Sequence, residues 1–325
     1  MREHEQEPGS NDLAIEIKGL TKRYKKLTAL DHLDMEIPRG EFWGLLGPNG
    51  AGKSTTLKLL TGLARPTEGY TRINGIDTMK DPKGALSGVG CLVETPEFYY
   101  GSTPMDILGY TGRLKGLSKD EIAIRSKAVL DELRIYEWRD ERIDRFSKGM
   151  KQRVGLAQAM ISNPSVVILD EPTTGLDPRG MIEFREMLSE LRKYDITMLL
   201  STHNLSEVSA ICGSVTILRN GRSVASGKVE DLVKDAVGAV TLVITTTHPA
   251  TSEYMSELCG MKGVCDAEIS KDYEIRVKFN GDASDQSEIV GLTVRHGLGL
   301  VSISEESGSD LERLYMGLSV DSQEA

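Results

Sequence analysis

Cysteines, aromatic residues and long apolar runs are all scarce in this sequence, and there is no surplus of basic charge. Only four cysteines, Cys91, Cys212, Cys259 and Cys265, stand in 325 residues. None forms a CxxC, and no paired His or Cys supplies the spacing of a zinc site. Four reduced thiols in a cytosolic protein are expected rather than a disulfide scaffold. No window approaches the roughly 18 uninterrupted apolar residues of a membrane-spanning helix. If the protein works at a membrane, another chain supplies the span. The opening MREHEQEPGSND has no apolar core, so residues 1–12 read as a flexible N-terminus rather than a secretory signal. Basic side chains number 39 against 49 acidic, a formal net charge of −10. Residues 231–325 carry 7 basic and 17 acidic side chains, which is the whole imbalance. No nucleic-acid partner is expected, because affinity for phosphate backbones rests on Lys and Arg.

What is present reads as an ordinary folded chain. Apolar residues make up 39% and charged residues 27%, close to globular averages. The length suits about two domains. LAIEI (13–17) alternates apolar and polar residues like an edge strand. VVILD (166–170) and ITMLLS (196–201) are short unbroken apolar runs, the pattern of parallel strands buried on both faces. Between them lie helical patterns. One begins at Ser118 with Glu121 three residues on, a capping box; others cover 151–162 and 184–194. Strands alternating with helices predict an α/β fold around a largely parallel sheet. After about Glu230 the pattern changes to strand, helix, a hairpin turning at Lys271-Asp272, helix and strand. That is the βαββαβ order of a small α+β, ferredoxin-like domain. A last helix, DLERLYMGLSV, closes the chain.

The chemistry concentrates in two motifs. Gly47-Pro48-Asn49-Gly50-Ala51-Gly52-Lys53-Ser54-Thr55 follows an apolar strand and fits G-x-x-x-x-G-K-[ST], the P-loop of nucleotide-binding proteins. Its glycines let successive N–H groups point at phosphate oxygens, and the helix that follows adds the positive end of its dipole. Lys53 is placed to reach the β- and γ-phosphates and Ser54 to ligate Mg²⁺. The second motif is VVILDE, in which a buried strand ends in Asp170 and Glu171. Asp170 suits the Mg²⁺ shell, and Glu171 suits polarising a water that attacks the γ-phosphate.

Between and around these motifs stand four more. Phe146-Ser147-Lys148-Gly149-Met150 opens a helix shortly before VVILD and resembles the LSGGQ signature of ABC ATPases. Gly175-Leu176-Asp177-Pro178 resembles that family's D-loop, and His203 resembles its switch histidine. Tyr24 stands where the family places an aromatic ring against adenine. The resemblance covers about residues 13–230, with residues 88–161 as the helical subdomain and 231–325 as an accessory domain. It implies ATP and Mg²⁺ as cofactors and a head-to-tail homodimer. There the P-loop of one copy and Ser147 and Gly149 of the other hold each ATP. It also implies a separate transmembrane permease, and thus a cytoplasmic protein at the inner face of the membrane.

Two departures narrow the resemblance. Lys148 and Met150 replace the usual Gly and Gln of the signature, while Ser147 and Gly149 are kept. Glu94 stands where the family normally has the Q-loop glutamine, which contacts Mg²⁺ and the attacking water. A carboxylate there adds negative charge and accepts only, when ionised. Such a glutamate and an FS-x-GMKQR signature resemble the ATPases of bacitracin- and lantibiotic-type exporters. The expected function is therefore the ATP-hydrolysing subunit of an exporter. An importer ATPase, or a non-transport ABC ATPase acting on a macromolecular complex, is the alternative. Pro96, Phe98, Tyr99 and Tyr100 form an apolar loop patch where the family receives a coupling helix of the permease.

Overall fold

The computed structural model describes residues 12–25, 27–93, 96–236 and 240–305. The chain divides into two compact units, Met1–Val229 and Glu230–Ala325. Strands of the first unit are β1 (Leu13–Tyr24), β2 (Leu27–Pro38), β3 (Phe42–Leu46), β4 (Glu68–Ile73), β5 (Ile76–Asp77), β6 (Val89–Leu92), β7 (Val166–Asp170), β8 (Thr197–Thr202), β9 (Ser214–Arg219) and β10 (Arg222–Lys228). Its helices are α1 (Lys53–Leu60), α2 (Pro82–Ser87), α3 (Pro104–Leu114), α4 (Lys119–Glu132), α5 (Lys148–Met160), α6 (Pro178–Glu190) and α7 (Leu205–Ile211); α8 (Val229–Ala236) follows.

Two sheets enclose the core of the first unit. Six strands in the order β10-β9-β3-β8-β7-β6 form the larger one, parallel throughout except for the β9–β10 hairpin. Every residue of β3, β7 and β8 is buried, which explains their unbroken apolar runs. The second sheet has the order β2-β1-β4-β5 and is antiparallel. Between them Ile15, Ile17, Leu33 and Ile37 pack in one cluster with Leu57 and Leu60 of α1 and with Leu45, Ile168 and Leu199 of the larger sheet. The α1 helix is thus held by apolar contacts on its buried face, while its N-terminus stays at the sheet's carboxyl end.

LAIEI is not an edge strand, a correction to the sequence reading. Ile15 pairs with Ile37 on one side and with Ile73 on the other. The alternation arises because one face meets the core while Glu16, on the other face, accepts from the Tyr70 hydroxyl at 2.8 Å and the Arg72 guanidinium at 3.1 Å. One-sided burial produces the same period in an interior antiparallel strand as at an edge.

Helices α3, α4 and α5 form the helical part of this unit. Capping boxes start two of them: Thr103 with Asp106, and Ser118 with Glu121. The helix read at 184–194 in fact starts earlier, at Pro178, and its last turn is a 3₁₀ turn, Leu191–Lys193. Asp177 caps it with Pro178 at its first position, a start signal hidden inside the GLDP motif.

The second unit runs β11 (Val240–Thr246), α9 (Ser252–Cys259), β12 (Val264–Lys271), β13 (Glu274–Phe279), α10 (Ala283–Arg295) and β14 (Leu300–Glu305). Its sheet order is β12-β13-β11-β14, and all its pairs are antiparallel. Leu242, Ile244, Ile275 and Val277 form a core with Tyr254, Leu258, Ile289 and Leu292 of the two helices. The helix expected at DLERLYMGLSV lies outside the described residues. The four cysteines are free, and burial pushes the Cys212 thiol up to about 12.

Candidate functional site

The P-loop leaves β3 at Gly47, whose N–H donates to the Thr202 carbonyl at the end of β8 (3.3 Å). The loop then doubles back, with Ala51 N–H donating to the Pro48 carbonyl (3.2 Å), and enters α1 at Gly52. Gly52 has φ +110°, and a Cβ there would lie 2.7 Å from the Ala29 carbonyl oxygen. Only glycine meets both demands. No side chain caps α1, so its first N–H groups are available to an anion. The Lys53 side chain is buried, and its Nζ donates to the carbonyls of Gly47 (2.8 Å) and Pro48 (3.2 Å).

Adjacent parallel strands bring the acidic pair to the same end of the sheet. Asp170 closes β7 opposite Ser201 of β8, and the Ser201 hydroxyl donates to its buried carboxylate. Glu171 takes a positive φ of 43°, and its N–H donates to the Ser201 carbonyl at 3.0 Å. This turn aims the carboxylate back at the P-loop. Its Oε1 lies 3.3 Å from Lys53 Nζ; its Oε2 accepts from Thr174 Oγ1 at 3.0 Å and lies 3.2 Å from His203 Nδ1. Burial pushes the Glu171 carboxyl up, but the Thr174 hydroxyl, Lys53 and His203 outweigh it and hold it below its ordinary value.

The P-loop and Glu171 share one cavity of about 420 Å³, which Asp170 and His203 do not line. Tyr24, Asn49, Gly50, Gly52, Lys53, Ser54, Thr55 and Glu171 line it, with Leu27, Thr28, Ala29 and Asn220 on the remaining wall. Tyr24 stands 43% exposed with the Lys22 ammonium 4.8 Å from its ring centroid. Ser147, Gly149 and Asp177 are elsewhere. They line a second cavity of about 360 Å³ with Lys148, Gly175 and Leu176, sharing no residue with the first. Ser147 is the N-cap of α5, its hydroxyl accepting from Met150 N–H at 3.3 Å. Glu94 lies outside the described residues. Of the apolar patch, Tyr99 and Tyr100 are 77% and 86% exposed, whereas Pro96 and Phe98 are half-buried. Among the described residues no helix is long and apolar enough to cross a membrane.

A cradle of loop amides with a lysine, facing a carboxylate and a histidine at the end of a parallel sheet, is a site for a nucleoside triphosphate. The sequence pattern of the ABC transporter family matches residues 30–174. The bacitracin transport ATP-binding protein BcrA of Bacillus licheniformis is 37% identical over 209 residues, 64% of this chain and 67% of its own length. The chain belongs to the ABC transporter ATP-binding proteins. It is thus an ABC ATPase and the ATP-binding subunit of an ABC transporter. The linearmycin resistance ATP-binding protein LnrL of Bacillus subtilis is 27% identical over 308 residues, 94% of this chain and 97% of its own. Among solved structures, an ATP-binding subunit of an ABC transporter superposes with a TM-score of 0.62 at 35% identity, over 68% of this chain and 92% of that one. A dimeric ATP-binding cassette bound to ADP and Pi in a post-hydrolysis state superposes at 0.60 and 25% identity, over 66% and 98%.

Several residues of this ABC cassette carry the site without having stood out in the sequence. Ser201 and Thr174 each hold one carboxylate, Asp170 and Glu171 respectively. Asn220 reaches the cavity from the β9–β10 turn at φ +50°. Serine and threonine hydroxyls have no spacing signal. The register of β7 against β8 brings Ser201 to Asp170, and the turn after β7 folds Thr174 back onto Glu171.

Proposed function

We propose that this chain powers the export of an antibiotic, peptide or other drug-like cargo through a separate transmembrane permease. The chain then sits at the cytoplasmic face of the membrane. ATP binds with its adenine near Tyr24 and its phosphates against the loop from Gly47 to Thr55. Lys53 neutralises the β- and γ-phosphates, and the uncommitted amides of the loop and of the first turn of α1 supply further donors. Glu171 takes a proton from the attacking water as oxygen bonds to the γ-phosphorus and the bond to the β-γ bridging oxygen breaks. His203 holds Glu171 and faces the γ-phosphate.

The donor set fits Mg²⁺. Ser54 and Asp170 offer hard oxygen ligands, and the described residues contain no group of three metal-binding side chains. An ion that keeps its waters and binds substrate phosphates needs no larger protein set. Ser54 and Asp170, with Glu94 as a further ligand, would hold it, and Mg²⁺ would neutralise charge on the β- and γ-phosphates.

The two cavities lie on one chain, each with half of a triphosphate site. Two copies placed head to tail complete both, with Ser147, Gly149 and Asp177 of one facing the P-loop of the other. The dimeric ADP·Pi cassette supports this arrangement. Residues 13–230 form the ATPase domain and residues 231–325 an accessory domain; the helical subdomain, read as about 88–161, starts only after β6 (Val89–Leu92), because that strand belongs to the larger sheet. Relatives named for bacitracin transport and linearmycin resistance favour export.

The observation that carries the reading is the contact of Glu171 with Lys53 of the P-loop at 3.3 Å and with His203 at 3.2 Å. The test is purification of the tagged chain from native membranes. A polytopic membrane protein should co-purify, and Tyr99→Ser with Tyr100→Ser should release it while leaving basal ATP hydrolysis intact. A chain recovered only by itself, with no ATP-driven cargo movement in vesicles, would contradict the proposal.

A further inference from the structure

One buried carboxylate in the ATPase unit has no part in the chemistry described so far. Glu207, on α7, is 2% exposed. Its Oε1 accepts from the Thr173 hydroxyl, and its Oε2 accepts from the Thr202 hydroxyl at 2.7 Å. The Arg185 guanidinium of α6, 3.8 Å from Oε1, supplies the counter-charge, and that arginine's buried Nε has no hydrogen-bond partner. The two threonines occupy special places. Thr173 follows Glu171 by two residues, and its carbonyl accepts from Leu176 N–H at 3.1 Å. Thr202 immediately precedes His203, and its carbonyl accepts from Gly47 N–H at the start of the P-loop.

The hydroxyl of Thr202 is fully committed in direction. Its oxygen accepts from Asn204 N–H at 2.9 Å, so its proton points to Glu207. His203 is thereby held between two residues joined through one hydroxyl. Both threonines donate, and only a group with two acceptor oxygens and no protons to offer satisfies them together. A glutamine of the same shape keeps one acceptor oxygen and turns an amide N–H₂ toward the other donor.

We propose that Glu207 is a positioning residue for ATP hydrolysis, clamping the turn after Glu171 to the strand end before His203. It touches neither nucleotide nor water. It sets the separation of the two groups that do, and a displacement of a reacting group by about 1 Å can cost about a hundredfold in rate. The inference rests on the roles proposed above for Glu171 and His203.

The experiment is steady-state ATP hydrolysis by the full chain carrying Glu207→Gln, Thr173→Val, Thr173→Ser or Glu207→Gln with Thr173→Val. The first two variants should each lose about tenfold or more in kcat with KM for ATP within about twofold. Thr173→Ser restores the hydroxyl and should keep more than half of kcat. The double variant should be no slower than the slower single one, because both remove the same link. Wild-type kcat in Glu207→Gln and Thr173→Val would overturn the proposal. So would equal loss in Thr173→Ser and Thr173→Val, or a loss expressed in KM alone. If Glu207→Gln fails to fold, the Ser/Val comparison at position 173 decides. Glu171→Gln run alongside separates the two readings. An active Glu171→Gln refutes the assigned site, whereas an inactive one beside unaffected Glu207 variants refutes only the clamp.

Discussion

Replacing Glu171 by glutamine removes one charge and almost no volume, so its effect can be worked through contact by contact. The carboxylate receives Thr174 at 3.0 Å on Oε2, His203 Nδ1 at 3.2 Å on the same oxygen, and Lys53 at 3.3 Å on Oε1. Glutamine retains one acceptor oxygen, enough for Thr174, and loses the charge that faces Lys53. With the side chain 24% exposed, water replaces part of the lost interaction. The cost to folding should be about 1 kcal/mol. The cost to turnover is far larger, because an amide takes no proton from water. Loss of a general base lowers the rate about 10²–10⁴-fold, or roughly 3–5 kcal/mol of barrier. ATP affinity should stay within about threefold, since Lys53 and the loop amides are untouched. Phosphate release and equilibrium binding of ATP, measured on the same preparation, check both numbers. A Glu171→Gln chain with more than a tenth of wild-type kcat would refute the assignment. The sign of the pH effect also follows. The folded carboxyl titrates below its ordinary value, so it favours the folded state above its unfolded pKa of about 4.3. That contribution is lost as pH falls through the lower folded value, and the wild type should lose more stability over this acid range than Glu171→Gln.

Gly52→Ala should lower the melting temperature of the ATPase unit more than Gly50→Ala. Both have positive φ, costing about 1–2 kcal/mol, but only at Gly52 does the new Cβ meet a backbone oxygen at 2.7 Å, whereas at Gly50 nothing lies within 4 Å. At about 2–4 °C per kcal/mol the difference is several degrees by calorimetry, and equal shifts would refute the backbone argument. Tyr24→Ala should raise KM for ATP severalfold with kcat unchanged and Tyr24→Phe should not, because the proposed contact is with the ring face; equal KM values for both would exclude that contact.

The parts of the site that announced themselves in the sequence are those where backbone geometry demands particular residues. The P-loop needs glycine at Gly52 for its φ and for the approach to Ala29, and that demand leaves a motif. Asp170 and Glu171 were legible because a fully buried apolar strand ends on them. The antiparallel sheet was less so: LAIEI carries the alternation of any strand with one covered face, and nothing local tells that β4 lies beside it. The start of α6 was missed because Asp177 and Pro178 serve as a helix start inside a motif read for its chemistry. Glu207, Ser201 and Thr174 were invisible because their importance is three-dimensional. Ser201 matters through a partner brought by strand register, Glu207 through the packing of α7, and Thr174 through the turn that folds it onto Glu171.

Whether ATP is held between two copies of the chain is decided most directly by sedimentation velocity of the Glu171→Gln chain. With saturating ATP and Mg²⁺ the particle should have twice the mass of the chain. It should return to single-chain mass without nucleotide, or when Ser147→Arg is added. Single-chain mass at saturating ATP, with ATP shown to be bound, would contradict the account.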